Sequence, residues 1–133
     1  MTVSGISLHE PAEADEPAEA VDAADADPFV LRVRDYAESV LKPDALAADT
    51  EGVSAARIAE LSGLGLLNHL APAEFGGAEV SRAADRRIHE ILAGACFNTW
   101  LVWAQHGPVV GRLTTALADR QPSPLARRIL TGR

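Results

Sequence analysis

Residues 58–81 read IAELSGLGLLNHLAPAEFGGAEVS, and the reading of this stretch decides the fold class. Ile58 and Leu61 stand at helical spacing, and Gly63 offers a stop, because glycine takes the left-handed conformation at a helix end without steric cost. Leu64 to Leu70 is a short apolar run that suits one helical turn or an extended buried piece. Pro72, Gly76 and Gly77 then force a compact turn, and Ser81 is suited to cap the helix that follows.

Downstream, Ala84, Ile88, Ile91, Leu92 and Ala95 line one face of that helix. Arg82, Asp85, Arg86, His89 and Glu90 fall on its polar side, so His89 is expected to be solvated. Asn98 or Thr99 can cap a helix running to His106, and Gly107-Pro108 interrupts it before a further piece from Pro108 to Ala118. Pro124 to Leu130 reads as a last short helix. Upstream, Ser54 opens the helix that ends at Gly63. Asp27 and Pro28 open another, with Val30, Val33, Ala37, Val40 and Leu41 as its apolar stripe. Lys42-Pro43 is expected to end it, since a residue before proline is pushed away from helical geometry. No stretch reads as a strand. The expected class is all-α, a helical bundle.

The net charge of -7 is unevenly placed. Residues 1–27 hold eight of the nineteen acids and no Lys or Arg, leaving eleven acids against twelve bases beyond them. Residues 1–26 are therefore read as a disordered acidic tail, either an interaction arm or a solvating leader, residues 27–120 as the helical domain, and 121–133 as a linker and short helix. The near-neutral remainder lacks the basic field of a nucleic-acid binder. A single cysteine, Cys96, excludes an internal disulfide. No apolar run spans a bilayer and no signal peptide is evident, so a soluble, cytoplasmic protein without membrane contact is expected. The scarcity of lysine (Lys42 alone) and the abundance of alanine suggest a GC-rich bacterial source.

Candidates for chemistry are few. The histidines His9, His69, His89 and His106 lack metal-ligand spacing, so no metal site is expected. Gly63-Leu-Gly65 is too short for a nucleotide-binding fingerprint and follows a helix. Cys96 reads as a small buried residue, and His69 as a hydrogen-bonded core or boundary residue. The stretch with functional promise is Phe97–His106, FNTWLVWAQH. Thr99, Trp103 and His106 share a face, with Trp100 adjacent. Such a helix either lines a pocket or is a core helix whose tryptophans find partners for their N–H groups.

The 58–81 stretch resembles the "LxxLGLLGLxVPEEYGGxGLS" segment of the acyl-CoA dehydrogenase family, through Leu61, Leu64, Gly65, Leu66, Leu67, Pro72, Glu74, Phe75, Gly76, Gly77 and Ser81. Arg34, Asp35, Tyr36, Ala37, Glu38, Leu41 and Pro43 match its "VRDFAExxLxP" opening. Residues 125–132 are similar to the "ERYLPxLxxGE" run that leads into the family's middle domain. The resemblance implies an N-terminal helical domain of a flavoprotein using FAD (or FMN). It places Thr99, Trp100, Trp103 and His106 on the wall of the acyl pocket, where bulky tryptophans imply a short, branched or aromatic acyl group. The "TxxxWxQHxGPV" wording is also similar to related flavin-dependent monooxygenases.

In that family the middle domain holds most flavin contacts and a third, helical domain supplies the catalytic base. Neither has a counterpart in these residues. The resemblance therefore implies no catalytic residue here and a chain inactive alone, partnered by the missing domains or by a separately encoded subunit. Leu66, Leu67, Trp100, Trp103 and Val109 are expected on the surface those domains would cover, with self-association as a consequence. The other reading is a stand-alone helical interaction module, or a remnant, without catalysis.

Overall fold

Four helix starts are fixed by a side chain that folds back onto the backbone, each satisfying amides that have no partner inside the helix. Asp27 accepts from the Phe29 and Val30 N–H groups, Ser54 from Arg57, Ser81 from Ala84 and Ser123 from Ala126. The computed structural model describes residues 18–133, all helix, turn and loop. In order come α1 (Ala18–Asp25), α2 (Pro28–Tyr36), a π-turn (Ala37–Leu41), α3 (Lys42–Glu51), α4 (Ala55–Gly63), a 3₁₀ turn (Ala73–Phe75), α5 (Arg82–Ala95), α6 (Phe97–Ala104), α7 (Gly107–Ala116) and α8 (Pro124–Leu130). The all-α expectation holds.

Three expectations about local structure need correction. Helix α2 does not end at Lys42-Pro43. Lys42 is helical (φ -59°, ψ -49°), and its N–H reaches back to the Ala37 carbonyl, five residues earlier. This widened turn absorbs the missing proline N–H and lets the chain continue directly into α3. Helix α4 ends at Gly63 as expected, but the left-handed glycine that stops it is Gly65. Gly65 has φ 82°, its N–H bonds the Ser62 carbonyl at 2.9 Å, and the Leu66 N–H bonds the Leu61 carbonyl at 3.0 Å. These are the paired bonds of a Schellman cap with glycine at its left-handed position. Finally, α6 begins at Phe97, and its cap is Cys96 without a side-chain bond, not Asn98 or Thr99.

Both ends of the described residues pack on the domain, and the expected Pro124–Leu130 helix is α8. Ala18–Asp25 form a helix that packs on α5, so the expected disorder does not extend to them; residues 1–17 of that segment lie outside the described residues. Ala24 is buried, and Asp25 accepts from Arg34 of α2 and Arg87 of α5. The hydrogen bond from Arg87 holds the Asp25 carboxyl below its ordinary value; desolvation opposes it, and the bond from Arg34 adds to it. At the other end α8 packs back on the domain. Leu130 is fully buried with Ala71 and Val110, and Ser62 Oγ donates to the Gly132 carbonyl at 2.6 Å.

The main core joins Val30, Val33, Ala37 and Leu41 to Leu61, Leu66, Ala84, Ile88, Leu92 and Trp103. Tyr36 ties α2 to α4 at its edge. Its hydroxyl donates to Glu60 Oε2 at 2.7 Å and accepts from Arg57 at 2.9 Å. Burial, reinforced by the Glu60 bond, pushes its ionisation up to about 12. Tyr36 is the sole tyrosine, so absorbance at 295 nm during an alkaline titration reads it alone. The expected midpoint is about 12; a midpoint at the ordinary ~10 would show that the hydroxyl is solvated. Because the folded state favours the protonated phenol, this stabilisation is complete below pH ~10 and is lost as pH rises towards about 12.

Candidate functional site

The chain turns from α5 into α6 at Cys96 alone, whose backbone is extended (φ -155°, ψ 102°). This one-residue corner lays α6 along α5 and fixes which of its faces points inward. Thr99 and Trp103, four residues apart, face the core and are 1% and 2% exposed. Cys96 Sγ donates to Thr99 Oγ1 at 3.2 Å, which satisfies the buried hydroxyl. Cys96 is thus the small buried residue expected.

Trp103 donates its indole N–H to the Leu66 carbonyl at 2.8 Å. That carbonyl lies in the turn after α4 and receives a second bond, from His69 Nδ1 at 3.0 Å. His69 Nε2 meets Asp85 Oδ1 of α5 at 2.7 Å. Both nitrogens of this buried ring therefore face oxygen atoms, which fixes the ring between the turn after α4 and α5. The rings continue outward: His69 lies 5.3 Å from Trp103, Trp103 4.7 Å from His89, and Phe97 5.2 Å from Trp100. His69 is the hydrogen-bonded core residue its apolar surroundings indicated.

His89 is not simply solvated. It is partly buried on α5 and its Nδ1 accepts the Trp100 indole N–H at 3.0 Å. Burial lowers its affinity for a proton; Asp85 opposes that effect, and His69 adds to it. The periodicity of α5 put His89 on the polar side correctly, but could not show that α6 covers that side.

Of the four residues expected on a pocket wall, Thr99 and Trp103 point into the core, and Trp100 stands at its edge. His106, at the start of α7, is partly buried, and its Nε2 is buried with no hydrogen-bond partner among the described residues. The expected open surface is corrected likewise. Leu66 and Trp103 are buried, Leu67 and Trp100 are partly so, and only Val109 is fully on the outside. The outer face of α6 instead presents Phe97 (59% exposed), Leu101 (44%) and Val102 (47%). The signal for it was in the sequence: FNTWLVWA is apolar on both sides, the pattern of a helix covered all round.

A hollow that reaches α6, at Thr99, has about 90 Å³, whereas sites for drug- or cofactor-sized ligands hold ~300–1,000 Å³. A hollow of about 480 Å³ lies elsewhere, between Pro72–Phe75, the end of α7 and α8. Asn98, the polar side chain at the start of α6, is tied to Asp49 at 2.9 Å. Among the described residues no group of three or more His, Cys, Asp or Glu side chains could hold a metal ion, and no helix is long and apolar enough to cross a membrane.

Comparison with known proteins agrees with this architecture. The family described as "Acyl-CoA dehydrogenase, N-terminal domain" matches residues 24–132, from the end of α1 to the turn after α8. No curated protein and no solved structure matches the chain. The match covers most of the sequence and includes the residues that build α2 to α8, so the chain belongs to the acyl-CoA dehydrogenase N-terminal domain family.

Proposed function

We propose that this domain supplies one wall of the substrate and flavin pocket of an acyl-CoA dehydrogenase-like oxidoreductase, and is inactive without the flavin-bearing remainder. The observation that carries the reading is the exposed apolar face of a helix whose other side is already buried: Phe97, Leu101 and Val102 of α6, with Trp100 between them and the core. An uncovered apolar face of this kind marks a partner or ligand surface. The role of these residues is to exclude water and confine the acyl chain, which strengthens the electrostatics of a site whose base and flavin come from elsewhere. FAD supplies the hydride acceptor in this family. No residue of α6 is acidic, so the base is not on this wall.

With Trp103 in the core, Trp100 is the bulky residue left to limit acyl length, favouring short, branched or aromatic groups. The test is to assay desaturation of acyl-CoA substrates by the domain joined to its middle and C-terminal domains, whether these follow in the same polypeptide or come from a separate one. Leu101→Glu is expected to lower activity at least about tenfold while leaving the helical circular dichroism of the domain unchanged, because a buried unpaired carboxylate is costly. Full activity of that variant overturns the proposal. If no flavin-bearing remainder can be joined, and the face binds another protein instead, the domain is a stand-alone interaction module.

A further inference from the structure

We propose that His89 is a positioning residue for Trp100: it holds the indole through Nδ1 while neutral and releases it on taking up a proton. The first half follows from the proton inventory. Trp100 Nε1 donates to His89 Nδ1 at 3.0 Å, and an indole nitrogen can only donate. Nδ1 therefore carries no proton in this arrangement, and the ring proton sits on Nε2, 3.8 Å from Asp85 Oδ1. A second proton has one place to go, the lone pair on Nδ1. Protonation of His89 and the bond to Trp100 exclude each other.

The surroundings set how this equilibrium is poised. On its own helix His89 faces Asp85, which attracts the second proton. From the turn after α4 it faces His69, which repels it, and from α6 the rings of Trp100 and Trp103 remove water from it. Asp85 is already engaged by His69 at 2.7 Å, so a protonated His89 must compete for the same oxygen. The arrangement keeps His89 neutral and Trp100 fixed near neutral pH. On acidification Trp100 loses its polar anchor and keeps only apolar contacts such as that with Phe97, so its rotamer is free to change. A tryptophan needs such an anchor to have a defined position at an edge, since apolar contacts fix distance but not orientation. The effect of this device on acyl selection rests on the proposed pocket wall; the device itself does not.

The experiment follows the indole ¹H–¹⁵N resonances of the chain from pH 8 to pH 4.5. Two tryptophans give two signals, and Trp100→Phe assigns them. The Trp100 signal is expected to shift with one midpoint below the ordinary histidine value of ~6.5. In His89→Asn an amide oxygen takes the place of Nδ1 and does not titrate, so the signal stays flat. A Trp100 signal that does not move, or that moves alike in His89→Asn, overturns the proposal. A second measurement at pH 7.5 guards against acid unfolding. Relative to wild type and His89→Asn, His89→Phe should speed indole N–H exchange roughly five- to tenfold, the factor one hydrogen bond supplies; equal rates in all three overturn it. In the joined flavoenzyme, a Trp100 that titrates while acyl-length preference stays constant with pH upholds the positioning role and removes Trp100 from the pocket wall.

Discussion

Trp103→Ala is expected to lower the unfolding free energy by ~3–5 kcal/mol, the range for truncating a buried aromatic side chain. Trp103 is 2% exposed and joins Leu61, Leu66, Ile88 and Leu92 in one core. Truncation removes the tilted ring contacts with His69 and His89 and strips the Leu66 carbonyl of one of its two donors. Domains of this size have only ~5–15 kcal/mol in total, so the melting temperature should fall by ~12 °C or more in a thermal scan followed by circular dichroism. Trp100→Ala, at the edge, should cost ~1.5 kcal/mol or less. Equal melting of the two variants would mean that Trp103 faces outward after all.

The second large effect is expected at Gly77. A Cβ there would overlap the carbonyl carbon and oxygen of Ala71 and lie 2.9 Å from its Cα. These are backbone atoms of a fully buried residue, so no rotamer change relieves the overlap. The loop itself is closed by three bonds, from Phe75 and Gly77 to the Pro72 carbonyl and from Gly76 to Ala73. Asn68 Nδ2 adds a fourth, to the Phe75 carbonyl. Ala71 also packs with Val110 and Leu130, so opening the loop disturbs the seats of α7 and α8. Gly77→Ala should cost ~3 kcal/mol or more, at or above the upper end of overpacking penalties. Gly76→Ala meets open space and pays only for φ 76°, ~1 kcal/mol. Chemical denaturation of both variants tests the order. A larger loss at Gly76 would show that torsion, not close approach, governs this turn.

These two sites show what a sequence can and cannot carry. Caps were legible because their mechanism is local: Asp27, Ser54 and Ser81 each bond an amide two or three residues ahead. The loop glycines were legible as a turn, but the cause at Gly77 is a contact with Ala71, which no local rule contains. Gly63 and Gly65 compete for one role, and the choice depends on where Leu66 must go to reach the core. The stripe of α5 was read correctly, while the side of α6 that faces inward is set by the corner at Cys96. Composition pointed to disorder for Ala18–Asp25, because its stabilising partners, Arg34 and Arg87, lie 9 and 62 residues from Asp25. For the candidate site, the right helix was legible and its orientation was not.

The π-turn at Ala37–Leu41 decides which residue of α3 the core receives. Along α2 and α3 the inward positions Val33, Ala37, Leu41 and Ala45 are spaced in steps of four. On a regular helix each such step overshoots a full circle by about 40°, and over the run the drift reaches about 120°. The extra residue held in the π-turn takes back about 100° of it. Without that correction Asp44 would swing beneath the bundle and Ala45 would rotate out. With it, Ala45 and Ala48 pack against the core, and Asp44 stays outside to meet Arg57. One surplus residue thus keeps a carboxylate out of the hydrophobic interior along a rod that runs, unbroken by its proline, from Pro28 to Glu51.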